Sequence, residues 1–177
     1  PGRSTKSFAT SADDIGNLPL EVCETINGSW GFNLKDRKHK SKKNLVQYLI
    51  KAAGYDSNLL LNVGPMPNGK IQKEHIKSLK EIGDWVKING ETIYGTSRGP
   101  IDPTDEIAST QKDNTIYIHL LDNRRTYFIE GYNPKIKKIS YYHSNKKVKY
   151  QKTKSGLIIN VDDNELDEID TIIELEI

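Results

Sequence analysis

Cysteine is almost missing from this sequence: Cys23 is the single one among 177 residues. That excludes an internal disulfide framework and any cysteine-based zinc cluster, and it leaves the compartment open. No apolar run is long enough to span a bilayer. With 35% apolar residues and a mean hydropathy of −0.66, the chain reads as a soluble globular protein rather than a membrane one. Nor does charge of one sign predominate. Lys and Arg number 26 against 24 Asp and Glu, a net +2, which makes no general case for a nucleic-acid partner. The four histidines, His39, His75, His119 and His143, lie far apart without metal-ligand spacing. There is no internal repeat, no low-complexity tract and no visible signal peptide. The opening Pro1-Gly2-Arg3-Ser4-Thr5 is not a translation start, so the native N-terminus, with any targeting signal, is expected upstream.

What is present is densest between Asn58 and Thr96. Asn58–Val63 is apolar with one internal amide and leads into Gly64-Pro65, the pattern of a strand buried on both faces in a parallel sheet. Pro67-Asn68-Gly69 is a turn, and a helix is expected from about residue 72 to 88, with Ile76, Leu79, Ile82, Trp85 and Val86 as its apolar stripe and Asn89-Gly90 as its stop. A strand feeding a helix through a short loop is half of a βαβ unit. Upstream, residues 1–19 read as a loop, Leu20–Ile26 as a short strand, and Phe32–Lys43 as a basic loop. Ser41 is placed to cap a helix near 42–53, whose apolar positions are Leu45, Tyr48, Leu49 and Ala52, with Gly54 as its stop.

After about residue 100 the pattern changes. Thr115–Asp122, Thr126–Gly131, Lys137–His143, Val148–Lys152, Leu157–Val161 and Thr171–Ile177 read as short strands parted by Asn, Asp, Gly and Pro turns. Such a run without helices predicts an antiparallel sheet or sandwich. Ile101–Asp105 is the expected linker. The fold class is therefore α/β plus all-β, divided at residues 1–98 and 99–177.

Several residues invite a chemical reading. Glu21 and Glu24 lie on the first strand, and paired carboxylates suit glycoside hydrolysis. Acids three apart on a strand face opposite sides, so spacing alone makes them surface acids at a strand end. Trp30, after a turn, is either an apolar wall for a sugar ring or a plug in the core. Lys35–Lys43 holds a basic run without interleaved aromatics and reads as a solvated loop. His75, His119 and His143 read as structural, the last two on strands. Cys23 reads as a small buried hydrophobe. Asp162, Asp163, Glu165, Asp167, Glu168 and Asp170 lack the glycine and spacing of a calcium loop and form a solvated acidic turn.

Together these residues resemble the family 29 α-L-fucosidases. Leu20–Phe32 is similar to that family's segment W-E-x-C-x-T-I-x-x-S-W-G-Y, with Leu20 in place of the Trp. Asn58–Pro65 with Asn68-Gly69 resembles G-G-N-L-L-L-N-V-G-P-x-x-D-G, with Asp56-Ser57 in place of the Gly-Gly. Ile82–Thr96 resembles I-G-x-W-L-x-x-N-G-E-A-I-Y-G-T. The match covers residues 18–98 and continues more weakly over Thr115–Asp122 and Asp170–Leu175.

The resemblance implies the last part of a (β/α) TIM-like barrel followed by a C-terminal antiparallel β-sandwich. It implies hydrolysis of terminal α-L-fucosides with retention, Glu21 as the catalytic acid/base, Trp30 as a substrate-binding residue, and a nucleophilic Asp on an upstream strand that no segment here matches. The expected partners are a fucosylated glycan and the upstream half of the catalytic domain, with no nucleic acid, no membrane, no cofactor and no metal. An exported location, periplasmic, secreted or lysosomal, is expected. By itself the chain is expected to be an incomplete, inactive fragment. The alternative is a non-catalytic carbohydrate- or protein-binding sandwich with a barrel remnant, for which Tyr117, Tyr127, Tyr141, Tyr142 and Tyr150 are the aromatics to hand. Adjacent Tyr141 and Tyr142 face opposite sides, so at least one lies outside the sandwich core.

Overall fold

Strands Leu20–Thr25 (β1) and Ser57–Asn62 (β2) pair in parallel, with Glu21 opposite Asn58 and Cys23 opposite Leu60, in a computed structural model that describes residues 20–177. The loop expected over residues 1–19 lies outside the described residues. A parallel pair needs a long crossover, supplied here by the basic loop and helix α1, Lys42–Gly54. The Ser41 hydroxyl accepts the Asn44 amide at 3.1 Å, satisfying one of the free N–H groups of the first turn. Leu45 and Ala52 are buried as expected, but Val46 and Ile50 complete the inner face, while Tyr48 and Leu49 sit half-buried. Gly54 is the last helical residue; the left-handed step falls on Asp56, at φ +58°.

β2 is not buried on both faces. Leu60 is 43% exposed and Asn58 is exposed too, because among the described residues β2 pairs with one neighbour, β1. Helix α2, Lys73–Asn89, buries His75, Ser78, Trp85 and Asn89. The expected stripe is thus rotated by about one residue. Ile76 and Leu79 are 48% and 38% exposed, and the inner line is partly polar. The helix ends at Asn89 without a left-handed glycine: Gly90 keeps right-handed backbone and opens a single 3-10 turn, Gly90–Thr92. No helix among the described residues is long and apolar enough to cross a membrane.

The chain divides into two compact units between Glu91 and Thr92. The second holds eight strands: β3 Ser97–Arg98, β4 Ile107–Lys112, β5 Thr115–Leu120, β6 Thr126–Glu130, β7 Lys138–Tyr141, β8 Lys149–Thr153, β9 Gly156–Asn160 and β10 Thr171–Glu176. They form a five-stranded sheet in the order β3-β4-β5-β10-β7 and a three-stranded sheet β6-β9-β8, antiparallel throughout. Ile116, Ile118, Leu120, Ile139, Tyr141, Ile173 and Leu175 of the larger sheet share one core with Tyr127, Ile129, Leu157 and Ile159 of the smaller, which makes a β-sandwich. Burying each such side chain contributes roughly 1.5–3 kcal/mol.

Two expectations change here. Ile107–Lys112 is a strand that the sequence reading lacked, and its inner residues Ala108, Ser109 and Thr110 are small and fully buried. Ile101–Asp105 is not a free linker. Ile101 belongs to the core, and its amide and carbonyl both bond the Ser109 hydroxyl, at 2.8 and 2.9 Å.

Candidate functional site

The two strand carboxylates behave differently because β1 alternates. Val22 is buried and Glu24 half-buried on the side of the helices, whereas Glu21 and Cys23 are exposed. The register puts Glu21 beside Asn58 and Cys23 beside Leu60, so one uncovered sheet face carries all four. Cys23, expected to be buried, is a free exposed thiol with its Sγ 3.9 Å from Glu21 Oε1. Glu21 and Cys23 point away from the core, and Val22 takes the inner place.

Glu24 is not a solvated surface acid. Lys40 Nζ donates to its Oε1 at 2.9 Å, and the Thr25 amide donates at 2.7 Å. Burial pushes its carboxyl up, but the Thr25 amide, the Lys40 ammonium and the Tyr48 hydroxyl outweigh burial and hold it below the usual carboxylate value. Lys40 also donates to the carbonyls of Thr25 and Asn27, at 2.7 and 3.3 Å, and its own amide bonds the Ile26 carbonyl at 2.8 Å. One residue of the basic run is therefore a clamp on the end of β1 rather than a solvated charge. Asp36 pins the same loop: it accepts the Ser29 hydroxyl at 2.9 Å. That bond, with the Lys38 and Gly28 amides, holds Asp36 below its usual value.

At the C-terminal ends of both strands the two loops meet. Asn62 Nδ2 donates to the Trp30 carbonyl at 2.6 Å. A Cβ on Gly64 would stand 2.5 Å from the Gly31 carbonyl carbon and 2.6 Å from the Phe32 nitrogen, so only glycine allows this approach. The Trp30 ring is 58% exposed at this rim. Glu21 lies elsewhere. It is the second residue of a six-residue strand, four residues short of the strand's C-terminal end, or about 13 Å by strand rise.

The histidines and the acidic turn read differently in three dimensions. His75 is buried against the His39 ring, centroids 5.4 Å apart, and burial with His39 beside it holds its pKa below the usual histidine value. His119 on β5 is fully buried, with Nδ1 2.7 Å from Asp170 Oδ2 and Nε2 3.5 Å from the Thr110 hydroxyl. Asp170 is therefore no part of a solvated turn. Glu165 leaves it too, held by Lys146 at 2.6 Å and by the Ser144 hydroxyl at 2.7 Å. His143 falls past the end of β7 in an exposed turn, edge-on to Tyr142 at 5.1 Å. Tyr117, Tyr127 and Tyr141 are buried. Among the described residues no three His, Cys, Asp or Glu side chains gather as a metal site. Sequence reasoning missed Lys40 and the His119–Asp170 pair; the only hint was a single lysine or acid within a longer charged run.

A sequence model of the alpha-L-fucosidase family matches residues 5–91. The alpha-L-fucosidase of Dictyostelium discoideum is 34% identical over 97 residues, 51% of this chain and 21% of that protein. The plasma alpha-L-fucosidase of Homo sapiens is 35% identical over 79 residues, 43% of this chain and 17% of that protein. Among solved structures, alpha-L-fucosidase isoenzyme 1 from Paenibacillus thiaminolyticus aligns with a TM-score of 0.78 at 32% identity, over 90% of this chain and 40% of that one. The Thermotoga maritima alpha-fucosidase in complex with fucose aligns with a TM-score of 0.81 at 26% identity, over 92% and 40%. The chain thus spans about a fifth of the curated relatives it matches and two fifths of the solved ones, in their C-terminal region.

Proposed function

We propose that this chain belongs to the α-L-fucosidase family and is the C-terminal portion of an enzyme that hydrolyses terminal α-L-fucosides of glycans. The unit that ends at Glu91 is then the end of a (β/α) barrel and the unit from Thr92 its sandwich domain, a boundary a few residues before the expected 98/99 because Ser97–Arg98 pairs with β4. The observation that carries this reading is the uncovered face of β1 and β2, where Glu21, Cys23, Asn58 and Leu60 stand away from the helices. In a closed barrel that face is the packed interior, and an open edge on β2 is a place for another strand to pair.

In this reading Glu21 is the acid/base, and an Asp of the upstream half is the nucleophile. Glu21 gives its proton to the leaving oxygen while the Asp attacks the anomeric carbon. It then takes a proton from the water that hydrolyses the fucosyl-enzyme, so configuration is retained. The two carboxyls need a separation of roughly 5–5.5 Å. Glu21 is exposed in this chain, so the desolvation that would keep it protonated has to come from the upstream half. Glu24 is unsuited to the task, since Lys40 and the Thr25 amide hold it ionised. Trp30 and Asn62 line the rim where barrel enzymes bind substrate. The human relative is named a plasma enzyme, which supports export for this one.

The place of Glu21 low on its strand favours a second reading, in which it is an interior carboxylate and the acid comes from the other half. Recombining the chain with the upstream half of a related fucosidase separates the two. The chain alone is expected to give no turnover of an aryl α-L-fucoside, and the recombined enzyme to give it. Glu21→Gln is expected to abolish hydrolysis of fucosides with poor leaving groups and to spare those with good ones, with azide restoring turnover. A Glu21→Gln enzyme of normal rate moves the acid elsewhere.

A further inference from the structure

We propose that the β7–β8 side of the sandwich is a binding site for an anionic saccharide. From Gly131 to Val161 the chain has eight lysines and no Asp or Glu. That leaves 18 basic against 24 acidic residues elsewhere, so a net charge near zero conceals a strongly cationic segment. The fold gathers that segment along the two adjacent sheet edges, β7 of the larger sheet and β8 of the smaller.

Two cavities open there, and Lys147 lines both. One, of about 260 Å³, is lined by Lys137, Lys138, Ser140, Asn145, Lys147 and Tyr150, with apolar walls from Ile136 and Ile139. The other, of about 340 Å³, holds Arg125, Lys146, Lys147, Lys149, Tyr141 and Asn160, with Asp162, Asp163 and Glu165. In the second the acids are largely committed: Asp163 to Arg125 at 2.6 Å, Glu165 to Lys146 at 2.6 Å, and Asp162 Oδ1 to the Asn164 amide at 3.2 Å. Lys147 and Lys149 have no ion pair among the described residues. Of the first cavity's lysines, Lys138 lies 3.8 Å from Glu176, and Lys137 donates to the Ile177 carbonyl at 2.8 Å.

Lysines on a sheet edge also keep strands from pairing with other chains, which accounts for Lys149 and Lys152 on β8. It does not account for the first cavity. There the apolar side chains of Ile136 and Ile139 stand beside the lysines, a mixed lining that edge protection does not call for. The main chains of Ser140 and Lys147 form a single β-bridge across the turn, which holds Lys147 beside the end of β7. Tyr150 lies opposite buried Ile159 on the inward side of β8, half-exposed at the mouth, where its ring offers a flat apolar face. An aromatic face and convergent ammonium groups suit a sugar that carries a sulfate or carboxylate. A single-stranded nucleic acid would need successive stacking aromatics along the groove, and this cavity has one. The choice of a saccharide over a bare anion rests on the fucosidase reading above.

Calorimetric titration of the 177-residue chain with a sulfated fuco-oligosaccharide, its desulfated form, an oligouronate, inorganic sulfate and an oligothymidylate tests this. A sulfated or uronate saccharide is expected to bind with salt-sensitive affinity, and the desulfated form at least tenfold more weakly. Lys147→Ala is expected to cost about tenfold and Tyr150→Phe nothing, while Tyr150→Ala costs several-fold. Lys77→Ala, on α2, leaves binding unchanged. Absence of binding, equal loss in Lys77→Ala, full competition by inorganic sulfate at equal sulfate concentration, or equal affinity for oligothymidylate overturns the proposal. Binding is read without turnover, so it stands or falls separately from the hydrolytic activity.

Discussion

β5 and β2 are both short strands of six residues rich in apolar side chains, and they end in opposite states. β5 pairs with β4 on one side and β10 on the other and is buried from Ile116 to Leu120. β2 pairs with β1 alone among the described residues and leaves Leu60 43% exposed. The composition of a strand states what surroundings it was selected for. Its paired edges state how much of those surroundings a given stretch of chain supplies. The sandwich supplies its own, and the β1–β2 unit does not.

The sharpest test of that contrast is a pair of truncations. Ile118→Ala removes a fully buried side chain from the sandwich core and is expected to cost about 3 kcal/mol, the sum of lost transfer energy and the cavity left behind. Leu60→Ala on the open face is expected to cost less than about 1 kcal/mol. Urea denaturation of the 177-residue chain measures both. Equal costs would break the comparison. When the upstream half is added, the cost of Leu60→Ala should rise toward that of Ile118→Ala, because the same side chain then has a core to belong to.

A smaller effect separates the two units by their probes. Both tryptophans, Trp30 and Trp85, precede Glu91, so tryptophan fluorescence follows the first unit alone. Lys40→Ala removes the ammonium that joins Glu24 to the carbonyls of Thr25 and Asn27 and is expected to lower the stability read by fluorescence by about 2 kcal/mol. The pH dependence has a defined sign. Glu24 titrates below 4.5 in the fold and returns to the ordinary value on unfolding. Its contribution is therefore complete above about 4.5 and is lost as pH falls through the lower folded value. Glu24→Gln should flatten the acid limb of the fluorescence-detected transition; an unchanged limb would remove Glu24 from the account.

Local signals carried well from sequence to structure. Ser41 caps its helix, and Glu21 and Glu24 face opposite sides because strand alternation leaves them no choice. The parallel pairing followed from an apolar strand ending in Gly-Pro. Features that join distant residues did not carry. His119 and Asp170 meet across 51 positions, and Lys40 reaches back 16 to Glu24; no periodicity announces either. Ile107–Lys112 escaped because Ala108, Ser109 and Thr110 are buried by fit rather than by hydrophobicity. The stripe of α2 was misplaced for a different reason. Ile76 and Leu79 are apolar toward a side that the described residues leave uncovered, so the pattern pointed to surroundings beyond this unit.

Trp30 bears on the same contrast with the smallest effect on stability. Its ring is 58% exposed, whereas its carbonyl is held by Asn62, so the loop keeps its place when the ring is removed. Trp30→Ala is expected to shift the denaturation midpoint by no more than about 0.5 kcal/mol. If the ring is a wall for the sugar, the loss appears in the recombined enzyme as a rise in KM of about tenfold, about 1.4 kcal/mol, and Trp30→Phe recovers most of it. If the ring is instead a plug for the barrel rim, the upstream half buries it. Trp30 fluorescence then moves to the blue on recombination, and Trp30→Ala weakens association of the halves rather than KM. The two outcomes use the same residue to decide whether this rim completes itself with substrate or with protein.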